Sequence, residues 1–437
     1  MRNCCGLLGR ILFPLALLAG TPGGQQQTAP PAAQAPAPEV QLQQAAAALE
    51  KEDYATASTI LESYVAGHPD DVRARFNLAL AYSMTGRQGD ALRLYEALVS
   101  QQPELIPARM NLGILLLEKG SFAEALAQFD QVLAQQPDHW AAQVNRAGAL
   151  VALGRTAEAT QSYQQALVLK LDAPTLLEYG KLLAKTNPEA AEPPLRRALA
   201  LDPALEEAKL VLASVLEDRA AKGAGTSAEA VSLYQELLAA HADRVDLRIR
   251  LAGIHLREKR LPEAIRELEA ARAAAAGDAQ LNRMLLNAYL QAKENDKAEA
   301  LLPEMLALAP ADAELRMLQG SLRMERRQFA QAAESFRSAI QLAPEAAAGY
   351  TNLASALYLL KDYAGTVAAL EKVAVLRQDT AGTYFLRALA LDQLGLKEAA
   401  YDNYQKFLAV DAQKNPDQEF QARQRSRTLA RELQRRR

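Results

Sequence analysis

Apolar residues recur along this chain at the three- and four-residue spacing that is typical of amphipathic helices. The stretch 72–105 shows the plan, which is an apolar helix, a turn that contains Gly86, a second apolar helix, and then Pro103. Gly120 and Pro137 occupy the same places one repeat later. Self-similarity at a fixed period of about 34 residues predicts an array of helix pairs.

A column of small residues in the second helices gives the number of repeats. Its members, at a nearly constant spacing, are Ala57, Ala91, Ala125, Ala159, Ala191, Ala230, Ala264, Ala298, Ala332, Thr366 and Ala400. Four residues after each comes a large apolar side chain: Leu61, Tyr95, Phe129, Tyr163, Leu195, Tyr234, Leu268, Leu302, Phe336, Leu370 and Tyr404. Small residues at fixed offsets from large ones let two helices approach closely. The sequence therefore predicts an all-α fold, an α-solenoid of eleven repeats over residues 38–414.

The first helices carry a recurrent small residue of their own. It is found at Ala79, Gly113, Ala147, Gly180, Ala213, Ala252, Gly320, Ala354 and Ala388, whereas Leu286 takes this place in the eighth repeat. Two repeats depart from the regular length. The fifth is two residues short, and we expect Pro193 and Pro194 to lie at the start of its second helix. The sixth is longer, and we expect residues 222–227 to form an extended loop between its helices.

These positions resemble the tetratricopeptide repeat family. The repeat pattern of that family has an apolar residue before Gly or Ala in the first helix, then Ala, an aromatic residue and Pro in the second. The second to fourth repeats match it best, and the resemblance covers roughly residues 38–414. It implies helix pairs whose first helices line a concave groove that binds peptides or protein segments. It implies no catalysis.

The N-terminal end has the composition of an export signal. Arg2 and Arg10 accompany a short apolar run, Ile11 to Ala19, which is followed by small residues. We expect residues 1–24 to be a signal peptide, although no clear cleavage triplet follows. A retained anchor is the alternative, but the run is far shorter than the roughly 20 residues that span a bilayer. Residues 25–37 are rich in Pro, Gln and Ala and are predicted to be a disordered linker.

The C-terminal end is basic, whereas the chain as a whole carries a net charge of only −3. Residues 415–437 contain seven arginines and three acidic residues, and they are predicted to form a helix that caps the array. The alternative is a contact for an acidic partner or an anionic surface. The small net charge of the whole chain gives no reason to expect a nucleic-acid partner.

Residues with catalytic or metal-binding potential are scattered along the chain. The four histidines lie in different repeats without metal-ligand spacing, and no nucleophile or phosphate-binding motif is present. His255 and Trp140 occupy positions that predict packing in the core. We therefore predict no enzyme activity, no metal and no cofactor.

One apolar stripe is a candidate binding surface. In the first helix of the third repeat, Met110, Ile114 and Leu117 lie opposite the face that should pack against neighbouring helices. The neighbouring repeats add further residues to this stripe: Phe76, Leu80, Met84, Val144 and Val151. An exposed apolar patch usually marks a binding site. The alternative is that adjacent first helices pack tightly enough to hide these residues.

The sequence thus predicts a non-catalytic scaffold of the bacterial periplasm or cell envelope that binds protein segments, without a transmembrane anchor once the signal is cleaved. Two alternatives remain, a self-associating assembly factor and an auxiliary subunit of an envelope enzyme complex.

Overall fold

The computed structural model describes residues 37–412 and 414–434 of the chain. These residues form α-helices and turns without any strand, which confirms the predicted all-α fold. The predicted signal peptide and residues 25–36 of the predicted linker lie outside the described residues. The described chain starts at Ala37, which is the N-cap residue of the first helix.

The chain divides into two compact units, with the boundary between Ala240 and His241. In the first unit, consecutive helices pack against one another as an α-solenoid. Its helices are α1 (Pro38–Glu50), α2 (Tyr54–Gly67), α3 (Val72–Met84), α4 (Gln88–Gln101), α5 (Ile106–Lys119), α6 (Phe122–Gln135), α7 (Trp140–Ala152), α8 (Thr156–Leu169), α9 (Ala173–Thr186), α10 (Pro188–Leu201), α11 (Glu206–Ala221) and α12 (Ala228–Ala240).

The second unit has the same construction. Its helices are α13 (Val245–Arg257), α14 (Leu261–Ala274), α15 (Ala279–Gln291), α16 (Asn295–Leu308), α17 (Ala313–Glu325), α18 (Phe329–Leu342), α19 (Ala347–Leu359), α20 (Tyr363–Val375), α21 (Ala381–Gln393), α22 (Lys397–Val410) and α23 (Pro416–Gln434). Odd-numbered helices up to α21 are the first helices of the repeats, and even-numbered helices are the second ones.

The two columns read from the sequence form the core. Every small residue of the second helices is buried, and so is every large side chain four positions later. The large side chains are among the most deeply buried in the protein, Tyr95, Phe129 and Tyr163 included. Burial of an aromatic or leucine side chain stabilises the fold by roughly 1.5–3 kcal/mol, so this repeated pairing contributes to the stability of every repeat in both units.

Most of the turns within the repeats contain a residue in left-handed backbone. Four of them use glycine with φ between 74° and 87°: Gly86, Gly120, Gly154 and Gly395. Five others place a side chain there with φ between 58° and 63°: Glu52, Lys259, Lys293, Arg327 and Lys361. Left-handed backbone favours glycine, but a cation just after a helix also interacts favourably with the helix dipole, and four of these five residues are cationic.

The two irregular repeats differ in how their helices are joined. Residues 222–227 form the predicted longer connection between α11 and α12. In the fifth repeat, Asn187 both ends α9 and precedes α10, which begins at Pro188. The prediction that Pro193 and Pro194 start this helix is therefore wrong. They lie inside α10, because the shortened turn moves the helix start toward the N-terminus.

Helix α23 covers the last helix pair of the second unit. Its Ala422 and Leu429 are buried in one cluster with Phe385 and Phe407. Arg425 of α23 also donates hydrogen bonds of 2.6 and 2.8 Å to the carboxylate of Asp392. Over residues 37–412 and 414–434, no helix combines the length and the apolar character that a bilayer span requires.

Candidate functional site

The predicted apolar stripe is divided between core and surface. Phe76, Leu80, Met110 and Val144 are buried, so the packing alternative applies to these four residues. Phe76 shows why: its ring meets the ring of Tyr95 edge-on at 5.6 Å between centroids. These four side chains belong to the core of the first unit.

The other four members of the stripe are partly exposed. They are Met84 on α3, Ile114 and Leu117 on α5, and Val151 on α7. Leu117 and Val151 pack against the same cluster, which contains Leu150. The structure therefore places both side chains beside one cluster of the core. Ligand binding by this smaller surface stays a prediction.

Acidic residues further along the first unit are already engaged by other side chains. Lys181 on α9 forms ion pairs with Glu178 at 2.8 Å and with Glu207 at 2.7 Å. Burial opposes the charged form of Lys181, but the two carboxylates outweigh it and raise the pKa of the ammonium group. Glu217 is buried and accepts a hydrogen bond from the Tyr234 hydroxyl at 3.0 Å. These acids are structural partners rather than a free anionic surface.

Two of the histidines, His255 and His139, have structural roles. His255 is only 3% exposed, as predicted for a core residue. Burial lowers its pKa, and the neighbouring Arg260 lowers it further. His139 precedes α7 and accepts a hydrogen bond from the backbone N–H of Ala142 at 3.1 Å. In the described part of the chain, no three or more His, Cys, Asp or Glu side chains gather where they would hold a metal ion.

Sequence reasoning missed an open cleft of about 530 Å³ between α6, α7 and α8. Four glutamines, three apolar side chains, one proline and one acid line it: Gln143, Gln161, Gln164, Gln165, Leu133, Val168, Leu169, Pro137 and Asp138. A signal was available in the sequence. Gln143 stands at the place that Arg75 and Arg109 take in the two preceding repeats, so one repeat has a shorter side chain where the two before it have arginine.

Comparison with known families agrees with the fold. One tetratricopeptide repeat model matches residues 42–105, 110–174 and 317–382, and a second matches residues 221–286. Together these matches cover more than half of the chain, which therefore belongs to the tetratricopeptide repeat family. Tetratricopeptide repeats are protein–protein interaction modules, and the fold generally serves as a non-catalytic scaffold.

Solved structures of low sequence identity show similarity as well. MamA from Desulfovibrio magneticus RS-1 is 15% identical, with a TM-score of 0.37, over 40% of this chain and 99% of that one. MamA of MSR-1 is 22% identical, with a TM-score of 0.35, over 38% of this chain and 97% of that one. A chain of the APC/C hetero-tetramer Cut9–Hcn1 is 14% identical, with a TM-score of 0.32, over 90% of this chain and 94% of that one. No curated protein sequence gives a significant match.

Proposed function

We propose that this protein is a non-catalytic scaffold, exported to the bacterial periplasm or cell envelope, that binds protein segments on the first helices of repeats two to four. The observation that carries this proposal is the partial exposure of Met84, Ile114, Leu117 and Val151 on three consecutive first helices, α3, α5 and α7. Family membership supports the protein-binding part. The N-terminal sequence supports the export part.

An apolar or amphipathic segment suits this surface. Ile114 and Leu117 already pack on the core with one side, so they are held in place before a partner arrives. A rigid apolar contact loses little side-chain entropy on binding. Met84 adds a flexible thioether that adapts to the shape of the partner. The segment would lay its own apolar side chains across the three helices.

A pull-down tests this proposal. The full chain and matched variants are used to co-precipitate partners, which are then identified by mass spectrometry. Ile114→Glu and Leu117→Glu place a charge on the partly exposed surface, so we expect the captured partner to be lost while the circular dichroism spectrum is kept. Leu359→Glu alters a half-exposed leucine of the second unit and should leave capture unchanged. Partner capture that survives both stripe substitutions would rule out this surface as the binding site.

Export has its own test. The intact mass of protein recovered from the periplasm of an expressing bacterium should correspond to a chain that starts near residue 25. A mass that still includes Met1, or recovery only from the cytoplasm, would contradict export. Neither result would affect the proposed binding surface.

The outer side of α23 is a candidate for a second contact surface. Phe420 is 66% exposed there, whereas Ala422 and Leu429 form the buried side of the helix. Arg427 and Arg431 are exposed and form no ion pair within the described residues. We propose that this face contacts an anionic partner. Arg427→Gln with Arg431→Gln should weaken that contact, and added salt should weaken the wild-type contact.

A further inference from the structure

The fourth position of the first helix is held by arginine in two successive repeats of the first unit. Arg75 on α3 is buried and donates from Nη1 to the Gln101 side-chain oxygen at 2.6 Å. Arg109 on α5, one repeat later, is also buried. It donates to the Gln128 side-chain oxygen at 2.9 Å and to the Pro103 carbonyl oxygen at 3.0 Å. At this position, each of these repeats buries a guanidinium group among oxygen acceptors.

The next repeat keeps the proline carbonyl acceptor, at Pro137, but lacks the guanidinium. Its fourth position is Gln143 on α7, which is 7% exposed. The side-chain oxygen of Gln143 is buried and has no hydrogen-bond partner among the described residues. A buried oxygen without a partner costs the protein the desolvation of that atom, so it is uncommon in folded structures. Gln143 lines the cleft between α6, α7 and α8.

A second acceptor in the same repeat lacks the donors that its counterpart in the third repeat has. The residue that corresponds to Pro103 is Pro137, and its carbonyl oxygen receives no hydrogen bond from residues 37–412 or 414–434. In the third repeat, Gln135 joins Arg109 in donating to Pro103, at 3.2 Å. The counterpart of Gln135 in the next repeat is Leu169, whose side chain has no donor. Gln143 is shorter than arginine and Leu169 has no donor, so the Pro137 carbonyl beside the cleft loses both of the donors that Pro103 has.

The remaining lining of the cleft suits a long cationic side chain. Among the described residues that line it, Asp138 is the only charged one. Lys170 follows the lining residue Leu169 in the chain, and its Nζ lies over the Trp140 ring, 4.1 Å from the ring centroid. This cation therefore interacts with the ring and is not one of the residues that line the cleft. Val168 is 87% exposed and gives the cleft an apolar wall. Methylene groups of an arginine pack well on such a wall while the guanidinium reaches polar atoms beyond it.

We propose that this cleft binds an arginine side chain of a partner protein segment, in the place that Arg109 fills from within its own repeat. The guanidinium donates to the Pro137 carbonyl and the Asp138 carboxylate, and it reaches the buried Gln143 oxygen when that side chain turns toward the cleft. A planar fork of five N–H donors meets several acceptors at once, whereas a lysine ammonium is a compact point charge. This inference rests on the proposed function only in that the partner is a protein segment, because the cleft residues are different from those of the apolar stripe.

The probe is a fluorescein-labelled peptide of four alanines around a central arginine, titrated with the full chain and followed by fluorescence anisotropy. We expect saturable binding that is weakened about tenfold or more when citrulline, a neutral analogue of arginine, replaces the arginine, since hydrogen bonds to a charged group are lost. Lysine in place of arginine should bind measurably more weakly. Equal binding of the arginine and citrulline peptides, or of the arginine and lysine peptides, would overturn the proposal.

Variants locate the binding in the cleft. Gln143→Arg should fill it from within and abolish peptide binding, whereas Gln291→Arg adds the same charge at an exposed position of the second unit and should not. If Gln143→Arg fails to fold, Asp138→Asn serves instead, because Asp138 is exposed, and it should weaken binding several-fold. Unchanged affinity in the cleft variant that folds would overturn the proposal. Ile114→Glu should retain peptide binding, so failure of the apolar stripe and failure of the cleft are separable.

Discussion

Gly113 on α5 and Phe129 on α6 lie so close that a single added methyl group does not fit between them. A Cβ atom placed on Gly113 would be 2.6 Å from Cε1 of the Phe129 ring. Gly180 lies against Leu195 in the same way, also at 2.6 Å, and Gly320 lies against Phe336. Glycine in the first helix is therefore coupled to the large residue of the second helix in each of these repeats.

Gly113→Ala should destabilise the first unit by about 1–3 kcal/mol, because Phe129 is buried and cannot move away without strain. The urea midpoint of unfolding measures this loss. Adding Phe129→Leu should recover part of it, since the double variant reproduces the pair that Ala252 and Leu268 form in the second unit. Additive effects of the two substitutions would mean that the residues are not coupled.

Gly120 ends α5 with φ of 87°, so Gly120→Ala should cost about 1–2 kcal/mol of stability. Gly89 provides a matched control. It lies within α4 in ordinary helical backbone, and an added Cβ there meets no atom within 4 Å. Gly89→Ala should therefore stabilise the protein by about 0.5–1 kcal/mol. Thermal unfolding of the two variants should show shifts of opposite sign, and shifts of the same sign would contradict the assignment of the turn.

His255 should make the stability of the second unit depend on pH. Burial, followed by the charge of Arg260, lowers its pKa below the ordinary value of 6.5. The fold therefore favours the neutral ring, and its contribution is fully present above pH 6.5 and is lost as the pH falls toward the lowered pKa. We expect the free energy of unfolding to decrease over this pH range. His255→Leu should flatten this part of the pH profile. An unchanged profile in His255→Leu would assign the dependence to other groups.

Removal of residues 415–437 should destabilise the last helix pair, because Phe385 and Phe407 lose the cover that Ala422 and Leu429 provide. An uncovered terminal repeat promotes association, so the truncated chain should show a lower melting temperature and a larger size in light scattering. Phe420→Ala changes an exposed residue of α23 and should have little effect. Full stability of the truncated chain would exclude a capping role for α23.

The period of the sequence was enough to predict the helix pairs and the core columns, because Ala125 and Phe129 recur at offsets that only close helix packing explains. Which residues of the apolar stripe are buried and which are partly exposed was not predictable from the repeat period of the sequence. Leu80 and Ile114 take the same place in successive repeats, yet Leu80 is buried and Ile114 is partly exposed. Only the positions of the neighbouring helices decide which of them reaches solvent. The same applies to Phe420, which the sequence alone does not distinguish from Leu429.

The cleft beside Gln143 suggests how a repeat protein acquires a new recognition pocket. Glutamine and arginine codons interconvert through a change of a single base, and the fourth position of the first helix lies outside the small and large columns that hold the helices together. A substitution there changes the size and chemistry of the cleft without altering the columns that pack the helices. The surface between repeats can therefore vary from one repeat to the next while the array itself is preserved.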